Sequence, residues 1–453
     1  MRIILNTHLF LPEFSGGTET LVHGVATALT QKGHSVLVLT GWDDKDPLEA
    51  DDQFDEYILD SIRVVRFKRG FKSTGNHGNP MRNDYDNHDY EKGFLQLLNE
   101  FKPDVVHFHH FGRSSIKTID ACHHLRIPTF LTVTDYWSIC PQQALLLPDG
   151  KICDGPVMGN ANCLKHMVEL TQPKWLSAAV DAVPNRALGV LMGTLKRSDI
   201  ALPGILGVTQ ALAKRSATIA KRFQLLTKIL VPTQHAQSTL ERNGIIADKF
   251  RILPFGLKDH GYTKRVRQRN SDPLVIGYIG QFLPHKGLHV LMEALRLLPL
   301  DFPVILKVYA KLPANGSPYV DDLLAQIQAD SRVVFEGTFA NETIPEVLDK
   351  IDVLVIPSIW HENMPLVSLS AQAAGCPVIA SDVNGLSDVV SHGVNGLLFK
   401  PGKAEDLRDC ISQLISDENK LQQLSRAAKT PCSLNQYVDD LEAEYQQAVG
   451  EKK

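Results

Sequence analysis

The most constraining feature of the chain is a pattern that runs twice: short β-rich runs alternating with stretches of helical period. Arg2–Asn6 reads as a strand and empties into a polar loop. Apolar residues then recur at helical spacing (Leu21, Val22, Val25, Ala26, Leu29), with Gly33 placed as a stop. Ser35–Thr40, Ile62–Phe67, Val105–Phe108, Pro128–Val133 and Ile229–Pro232 read as further strands. After a polar, basic stretch, Lys258–Asp272, the alternation restarts with Leu274–Ile279, Val304–Tyr309, Arg332–Phe335, Val353–Pro357 and Pro377–Ala380. Strands separated by helices predict parallel sheets, so the fold class is α/β: two Rossmann-like domains facing a central cleft. The expected bounds are 1–257 for the first domain, with an insert at about 138–225, 258–272 for a linker and 273–432 for the second domain. A terminal helix is expected over 433–453 from the spacing of Tyr437, Leu441, Tyr445 and Val449.

At 453 residues with 43% hydrophobic and 22% charged side chains, the chain has the make-up of a folded protein and not of a disordered or fibrous one. A net charge of -4 excludes recognition of nucleic acid by bulk positive charge. The first apolar run is too short for a secretory leader, and no run approaches the length of a spanning helix. A cytoplasmic location is therefore expected. Seven cysteines, an odd number over a long chain, argue against a disulfide framework.

Two segments depart from the overall charge. Asp43–Asp60 carries nine acids and one Lys and reads as a solvated loop. Lys165–Lys228 carries ten Lys/Arg against three acids, together with the apolar runs Ala187–Met192 and Ile200–Val208. Such a surface suits anionic lipid headgroups or a polyanionic acceptor, and it predicts peripheral contact through residues 165–228 with the cytoplasmic face of a membrane. Solvated helices are the alternative reading.

Three loops carry the candidate chemistry. In Pro12-Glu-Phe-Ser-Gly-Gly-Thr-Glu19, Gly16 and Gly17 permit close backbone approach at a helix start, which favours an anion. In Gly277-Tyr-Ile-Gly-Gln-Phe-Leu-Pro-His-Lys-Gly287, Lys286 stands where an ammonium can neutralise a diphosphate. Neither loop is a dinucleotide fingerprint or a Walker loop, which moves dehydrogenases and P-loop enzymes down. In the third, running from Pro357 to Gly375, Glu362 precedes a helix expected to begin near Pro365. An acid beside free amides is costly unless it grips something such as sugar hydroxyls.

Together these stretches resemble a family 4 glycosyltransferase of the GT-B fold, a retaining enzyme that uses a nucleotide sugar. The resemblance is carried in order by Gly16-Gly-Thr-Glu19, Lys32-Gly-His-Ser-Val36, Pro103-Asp-Val-Val-His107, Ile252-Leu-Pro-Phe-Gly256, Gly280–Gly287, Glu362-Asn-Met-Pro-Leu366 and Ala374-Gly-Cys-Pro-Val-Ile379. It implies an acceptor-binding N-terminal domain, a nucleotide-sugar-binding C-terminal domain and a return of the terminal helix, 433–453, to the N-terminal domain. Lys286 and Gln281 would face the diphosphate, Glu362 the donor sugar, and Asn363, Met364, Pro365 and Leu366 would support sugar or phosphate. Gly17 and Ser370 complete the implied donor set. Lys286, Glu362 and Asp135 are the implied catalytic residues, and Gly16, His109 and His110 face the acceptor. No catalytic metal or other cofactor is implied. The donor would be a UDP-, GDP- or ADP-sugar, and the acceptor a glycan, a lipid-linked sugar or a small molecule, in cell-surface polysaccharide or glycoconjugate biosynthesis.

The chain departs from the family pattern at three places. The second of two glutamates falls on Ser370, an Arg commonly facing the diphosphate is Gln281, and Thr134 stands where a His commonly precedes Asp135. The run Asp135-Tyr-Trp-Ser-Ile-Cys-Pro141 resembles a subset with a cysteine-bearing insert after the Asp-Tyr-Trp motif. Cys140, Cys153, Cys163 and His166 form a candidate structural zinc set, against buried thiols as the alternative. Two other functions stay open: a nucleotide-sugar epimerase on the same fold, and a non-catalytic nucleotide-sugar-binding homologue.

Overall fold

A computed structural model describes residues 1–41, 54–67, 79–245, 248–268, 273–313, 316–417 and 419–451. The chain divides into two units, one formed by 1–149, 153–254 and 434–453, the other by 150–152 and 255–433.

The first unit contains β1 (Arg2–Asn6), α1 (Gly17–Gln31), β2 (Ser35–Gly41), β3 (Phe54–Leu59), β4 (Ile62–Phe67), α2 (Pro80–Asn83), α3 (His88–Phe101), β5 (Val105–Phe108), α4 (Lys117–His124) and β6 (Thr129–Thr132). It continues with α5 (Ala161–Thr171), α6 (Lys174–Asp181), α7 (Asn185–Arg197), α8 (Gly204–Phe223), β7 (Lys228–Val231), α9 (Gln234–Arg242) and β8 (Phe250–Ile252). The sheet runs β3-β4-β2-β1-β5-β6-β7-β8, parallel throughout except for the β3–β4 pair. β5 and β6 are buried along their whole length, as strands covered by helices on both faces must be.

β3 corrects the solvated-loop reading of Asp43–Asp60 over its last part, because 54–59 is an edge strand; residues 42–53 lie outside the described residues. The acids there are cross-strand partners. Asp55 sits opposite Arg66 and accepts from its guanidinium at 2.8 and 2.6 Å, while Glu56 accepts from Arg63 at 2.9 and 2.6 Å. Acidic composition concealed the strand because its charges are matched by β4.

The second unit contains β9 (Leu274–Ile279), α10 (Leu288–Arg296), β10 (Val304–Tyr309), α11 (Pro318–Ala329), β11 (Val333–Gly337), α12 (Ile344–Asp349), β12 (Val353–Ile356), α13 (Leu366–Ala373), β13 (Val378–Ser381), β14 (Gly396–Phe399), α14 (Ala404–Ser416) and α15 (Lys420–Arg426). Its all-parallel sheet runs β11-β10-β9-β12-β13-β14. The described part of the polar stretch after 257 is fastened to this unit: Arg267 N–H donates to Ser425 Oγ at 2.7 Å, its guanidinium donates to Leu348 O at 3.0 Å, and Lys264 donates to Ala428 O at 2.6 Å.

The last helix, α16 (Leu434–Gly450), belongs to the first unit. Leu434, Tyr437, Val438, Leu441 and Tyr445 form its buried face, the i, i+3, i+4, i+7 stripe of an amphipathic helix. Outside that stripe, Asp439 and Glu442 pair with Lys32 at 2.5 and 3.0 Å. No described helix is long and apolar enough to cross a membrane.

Candidate functional site

Each sheet reverses its strand order once, between β1 and β5 in the first unit and between β9 and β12 in the second. In parallel α/β sheets the loops leaving the carboxyl ends of strands at such a point splay apart and leave room for a ligand. Lys286, Glu362, Gly16 and His110 lie on those loops, while Asp135 follows β6 and Ser370 stands on α13.

In the second unit, β9 runs into the 3-10 turn Pro284–Lys286 and β12 into the loop holding Glu362. Gly287 ends the turn at φ +74°, and a Cβ there would stand 1.8 Å from Pro357 O. Only glycine lets the Lys286 turn lie this close to the end of β12. The result is a direct ion pair, with Lys286 Nζ donating to Glu362 Oε1 at 2.7 Å. The same oxygen accepts from Ser358 Oγ at 2.8 Å and from Trp360 Nε1 at 2.7 Å. Lys286 Nζ also lies 4.7 Å from the centroid of the Trp360 ring, a cation–π contact. The backbone holds the pair from behind: Glu362 N–H donates to Asn384 O at 3.0 Å, and Ile359 N–H to His285 O at 2.9 Å.

Burial alone would push the Glu362 carboxyl up, but the Lys286 charge and the three hydrogen bonds outweigh it and hold the group below its ordinary value. Glu362 is thus an anion with one oxygen fully used and Oε2 without a partner among the described residues. Asn363 is buried with neither Oδ1 nor Nδ2 bonded. The backbone N–H groups of Asn363, Met364 and Leu366 likewise donate to no described acceptor. A buried carboxamide and free amides ahead of a helix are costly to leave unmade, which suits a polar ligand carrying hydroxyls or phosphate. Pro365 is the residue capping α13, so the helix begins at Leu366, one position after the expected start.

Two residues of the implied donor set sit differently. Gln281 is exposed, and its backbone oxygen accepts from Tyr278 OH at 2.8 Å. Ser370 is buried on α13, where its hydroxyl donates to Leu366 O at 3.1 Å and accepts from Tyr262 OH at 2.9 Å. Its position is occupied by internal bonds.

In the first unit, β1 leads to His8 and on to Gly16 and Gly17, β5 to His110, and β6 to Asp135. Gly112 N–H donates to His110 Nδ1 at 2.8 Å, so that nitrogen carries the lone pair. Nε2 therefore bears the hydrogen and donates to Asp135 Oδ2 at 2.5 Å. Asp135 Oδ1 accepts from Trp137 N–H at 2.9 Å. The His8 ring lies 4.1 Å from that of His110, and its Nε2 is 3.4 Å from Glu19 Oε1. Burial, then His110 and Arg113, pushes the His8 pKa down, while burial pushes the Glu19 carboxyl up. Gly16 lies directly against that carboxylate, and Gly17 faces open space.

His109 departs from the acceptor role that the resemblance implies. It is buried, its ring stacks on His107 with centroids 4.2 Å apart, and neither ring nitrogen has a partner. Its backbone joins the site instead: Thr134 Oγ1 donates to His109 O at 2.7 Å. His107 is packed, as a residue within a buried strand, with Nε2 2.8 Å from Thr132 Oγ1.

The zinc expectation is also corrected. Cys140, Cys153, Cys163 and His166 do line one small cavity of about 20 Å³. Among the described residues, however, no three His, Cys, Asp or Glu side chains are arranged to share a metal ion. The thiols face local partners: Cys153 Sγ accepts from Gly155 N–H at 3.4 Å, and the Cys163 thiol donates to Asn162 Oδ1 at 3.7 Å. Leu145, Leu146, Met167 and Leu170 share the lining, so burial pushes the Cys163 thiol up to about 12. This is the thiol-packing alternative.

Sequence reasoning did not single out His8, Ser358, Trp360 or Tyr262. His8, Ser358 and Trp360 each lie within four residues of the carboxyl end of a strand at a switch point, a positional signal available from the strand reading. Tyr262 carried no such signal, because its approach to Ser370 spans 108 positions.

Comparison with known proteins bears on these loops. The model described as Glycosyltransferase Family 4 matches residues 15–149, and the one described as Glycosyl transferases group 1 matches 262–430, together about two thirds of the chain. An uncharacterized glycosyltransferase of Methanocaldococcus jannaschii is 33% identical over 32% of this chain and 37% of its own length. A D-inositol 3-phosphate glycosyltransferase of Stackebrandtia nassauensis is 26% identical over 57% of this chain and 60% of its own. The matches thus span between about a third and three fifths of these curated relatives. Anabaena HepE, solved with UDP and glucose, superposes with a TM-score of 0.62 at 17% identity, covering 97% of this chain and 98% of its own. The sucrose-phosphate synthase of Thermosynechococcus elongatus gives 0.63 at 18%, covering 100% and 98%. These last two likenesses concern the fold.

Proposed function

Because the chain belongs to the family 4 glycosyltransferases with the GT-B fold, we propose that it transfers a sugar from a nucleoside diphosphate sugar to an acceptor hydroxyl with retention of configuration. The observation that carries this reading is the Lys286–Glu362 pair with its unmade partners: Glu362 Oε2, the Asn363 carboxamide and the amides before α13. Sugar hydroxyls donate to a carboxylate, and phosphate oxygens accept from amides, so the set is complementary to a sugar diphosphate.

Departure of the diphosphate leaves an oxocarbenium-like sugar and gathers negative charge on the leaving oxygen. Lys286, fixed by Glu362 and the Trp360 ring, supplies positive charge that needs no rearrangement as the bond breaks. Glu362 grips the donor sugar and keeps Lys286 aligned. On the first unit, Asp135 is held through both oxygens by His110 and Trp137, and it would orient the acceptor hydroxyl beside Gly16. The acceptor class proposed is a glycan or lipid-linked sugar of cell-surface polysaccharide assembly.

A second reading, a non-catalytic nucleotide-sugar-binding homologue, is favoured by one observation: Ser370 spends its hydroxyl on Leu366 O and Tyr262. Thermal unfolding against saturating UDP, GDP and ADP separates the readings in combination with a transfer assay. A ligand at a hundredfold over its dissociation constant stabilises by about 2.7 kcal/mol. A shift lost in Lys286→Ala, with sugar transfer, supports the enzyme; a shift without transfer supports the binding homologue. Donor consumption without an acceptor would indicate the epimerase, and no shift with any nucleotide overturns the donor site.

A further inference from the structure

Residues 170–206 present more apolar surface to solvent than packing of the first unit explains. Trp175 is 72% exposed, Val190 72% and Ile200 73%, with Leu170, Ile205 and Leu206 also exposed. α6 has no buried residue at all. α7 is apolar on two sides: Leu188, Met192 and Leu195 enter the cluster with Met81, Ala161 and Leu212, while Val190 and Leu191 point outward. The inward stripe anchors the helix, and the outward one contributes nothing to folding.

The charge beside this face differs from the expectation for the whole 165–228 segment, because many of the ten cations are spent inside the first unit. Arg215 is buried over the Trp137 ring at 4.6 Å, Arg222 pairs with Asp86 and Asp120 at 2.9 and 2.8 Å, and Lys228 pairs with Glu444 at 3.3 Å. Lys165 and Lys214 donate to Asp181 O and Ser198 O. Lys174 and Arg186, and Lys196 and Arg197 at the end of α7, have no partner among the described residues and are exposed. These four interleave with the apolar residues. Asp181 and Asp199 are the only acids in the 170–206 interval.

We propose that the α6–α7 face is a docking surface for an anionic lipid bilayer, with Trp175, Val190 and Ile200 entering the headgroup boundary and Lys174, Arg186, Lys196 and Arg197 meeting lipid phosphates. Free cations around exposed apolar residues are complementary to such a surface, and an exposed indole is the side chain most at home at its boundary. None of these residues belongs to the Lys286 or Glu362 loops, so bilayer docking and sugar transfer can fail independently of each other.

The test is co-sedimentation of the full chain with vesicles of phosphatidylglycerol and phosphatidylethanolamine, compared with phosphatidylcholine alone. Binding to the anionic vesicles is expected to be at least about tenfold tighter. The triple variant W175A/V190S/I200S and the quadruple variant K174Q/R186Q/K196Q/R197Q should each weaken it about tenfold or more. All seven positions are exposed, so thermal unfolding should be unchanged, and L300S, at an exposed leucine in the second unit, should bind like the parent chain. Equal binding to both vesicle types, no binding, or binding indifferent to both variants overturns the proposal. So does self-association in light scattering that the triple variant abolishes, which would assign the face to a second copy.

Discussion

Lys286 donates to Glu362 across 2.7 Å, from the loop after β9 to the loop after β12, and a single glycine makes the approach feasible. The pair joins the two strands at the point where the sheet reverses order. Charge and scaffold therefore depend on each other there.

Lys286→Ala should reduce sugar transfer by orders of magnitude and also leave Glu362 as a buried anion without its cation. Loss of a hydrogen bond to a buried charge costs about 2 kcal/mol. Urea unfolding of Lys286→Ala should show a loss of this size, while the double variant with Glu362→Gln should recover part of it. A double variant no more stable than Lys286→Ala would mean that the charge pairing contributes little.

Glu362 also sets a pH dependence. Its folded-state value lies below the ordinary 4.5, so its contribution to stability is present above about pH 4.5 and is lost as pH falls through the folded value. Glu362→Gln should flatten that part of the acid-unfolding curve. An unchanged curve would show that the carboxylate is not stabilised by its partners.

His109 acts in a higher window. Burial pushes it from 6.5 to about 3, so it stays neutral in the folded state while the unfolded chain takes up a proton. Its contribution is complete above pH 6.5 and declines by about 1.4 kcal/mol per pH unit as pH falls towards 3. Denaturant titrations at pH 7, 6 and 5 should show this decline, and His109→Phe should lessen its slope by about one proton. A slope indifferent to the substitution would mean that His109 is protonated in place.

Gly287→Ala should be far more damaging than a surface glycine change. The added Cβ meets Pro357 O at 1.8 Å in a left-handed backbone conformation. Gly385→Ala should behave alike, since φ is +83° and a Cβ there falls 2.0 Å from Glu362 O. Each is expected to lose about 2 kcal/mol or more and to abolish the nucleotide-induced thermal shift. Gly244, also at positive φ but with open space around its Cβ position, serves as control and should lose only about 1 kcal/mol. Equal losses at all three would remove the argument from close approach.

His110→Gln tests the other unit. Nε2 of His110 donates to Asp135, so the variant should keep the fold and lower turnover by about tenfold or more by loosening the carboxylate. Since His110 reaches no ligand in this assignment, kcat should fall more than KM rises. A selective rise in KM would make it an acceptor contact instead.

Alternation of strand and helix, read from apolar period alone, placed the parallel strands of both units other than β8 and β14 to within a residue or two. It also placed the loops that matter, because ligand positions in such sheets follow from strand order. The loops of Lys286 and Glu362 were legible for that reason, whereas Asp135 was named only through the family resemblance. The strands that alternation passed over, Phe54–Leu59, Phe250–Ile252 and Gly396–Phe399, are respectively acidic, three residues long and glycine-led, and each lies at a sheet edge with one partner strand. What tertiary structure alone decided is which groups are already used. Glu362 has one free oxygen while Ser370 has none to spare, His110 aims at Asp135 while its neighbour His109 turns inward, and the cysteines line a cavity without converging on a metal position. Even the net charge of 165–228 proved divisible, with Arg215, Arg222 and Lys228 consumed by acids from elsewhere in the fold. Apolar period reports burial, which is a property of one residue and its face. Hydrogen-bond saturation and ion pairing depend on partners as well, and the deciding ones are distant: Lys286 for Glu362, 76 positions away, and Tyr262 for Ser370, 108.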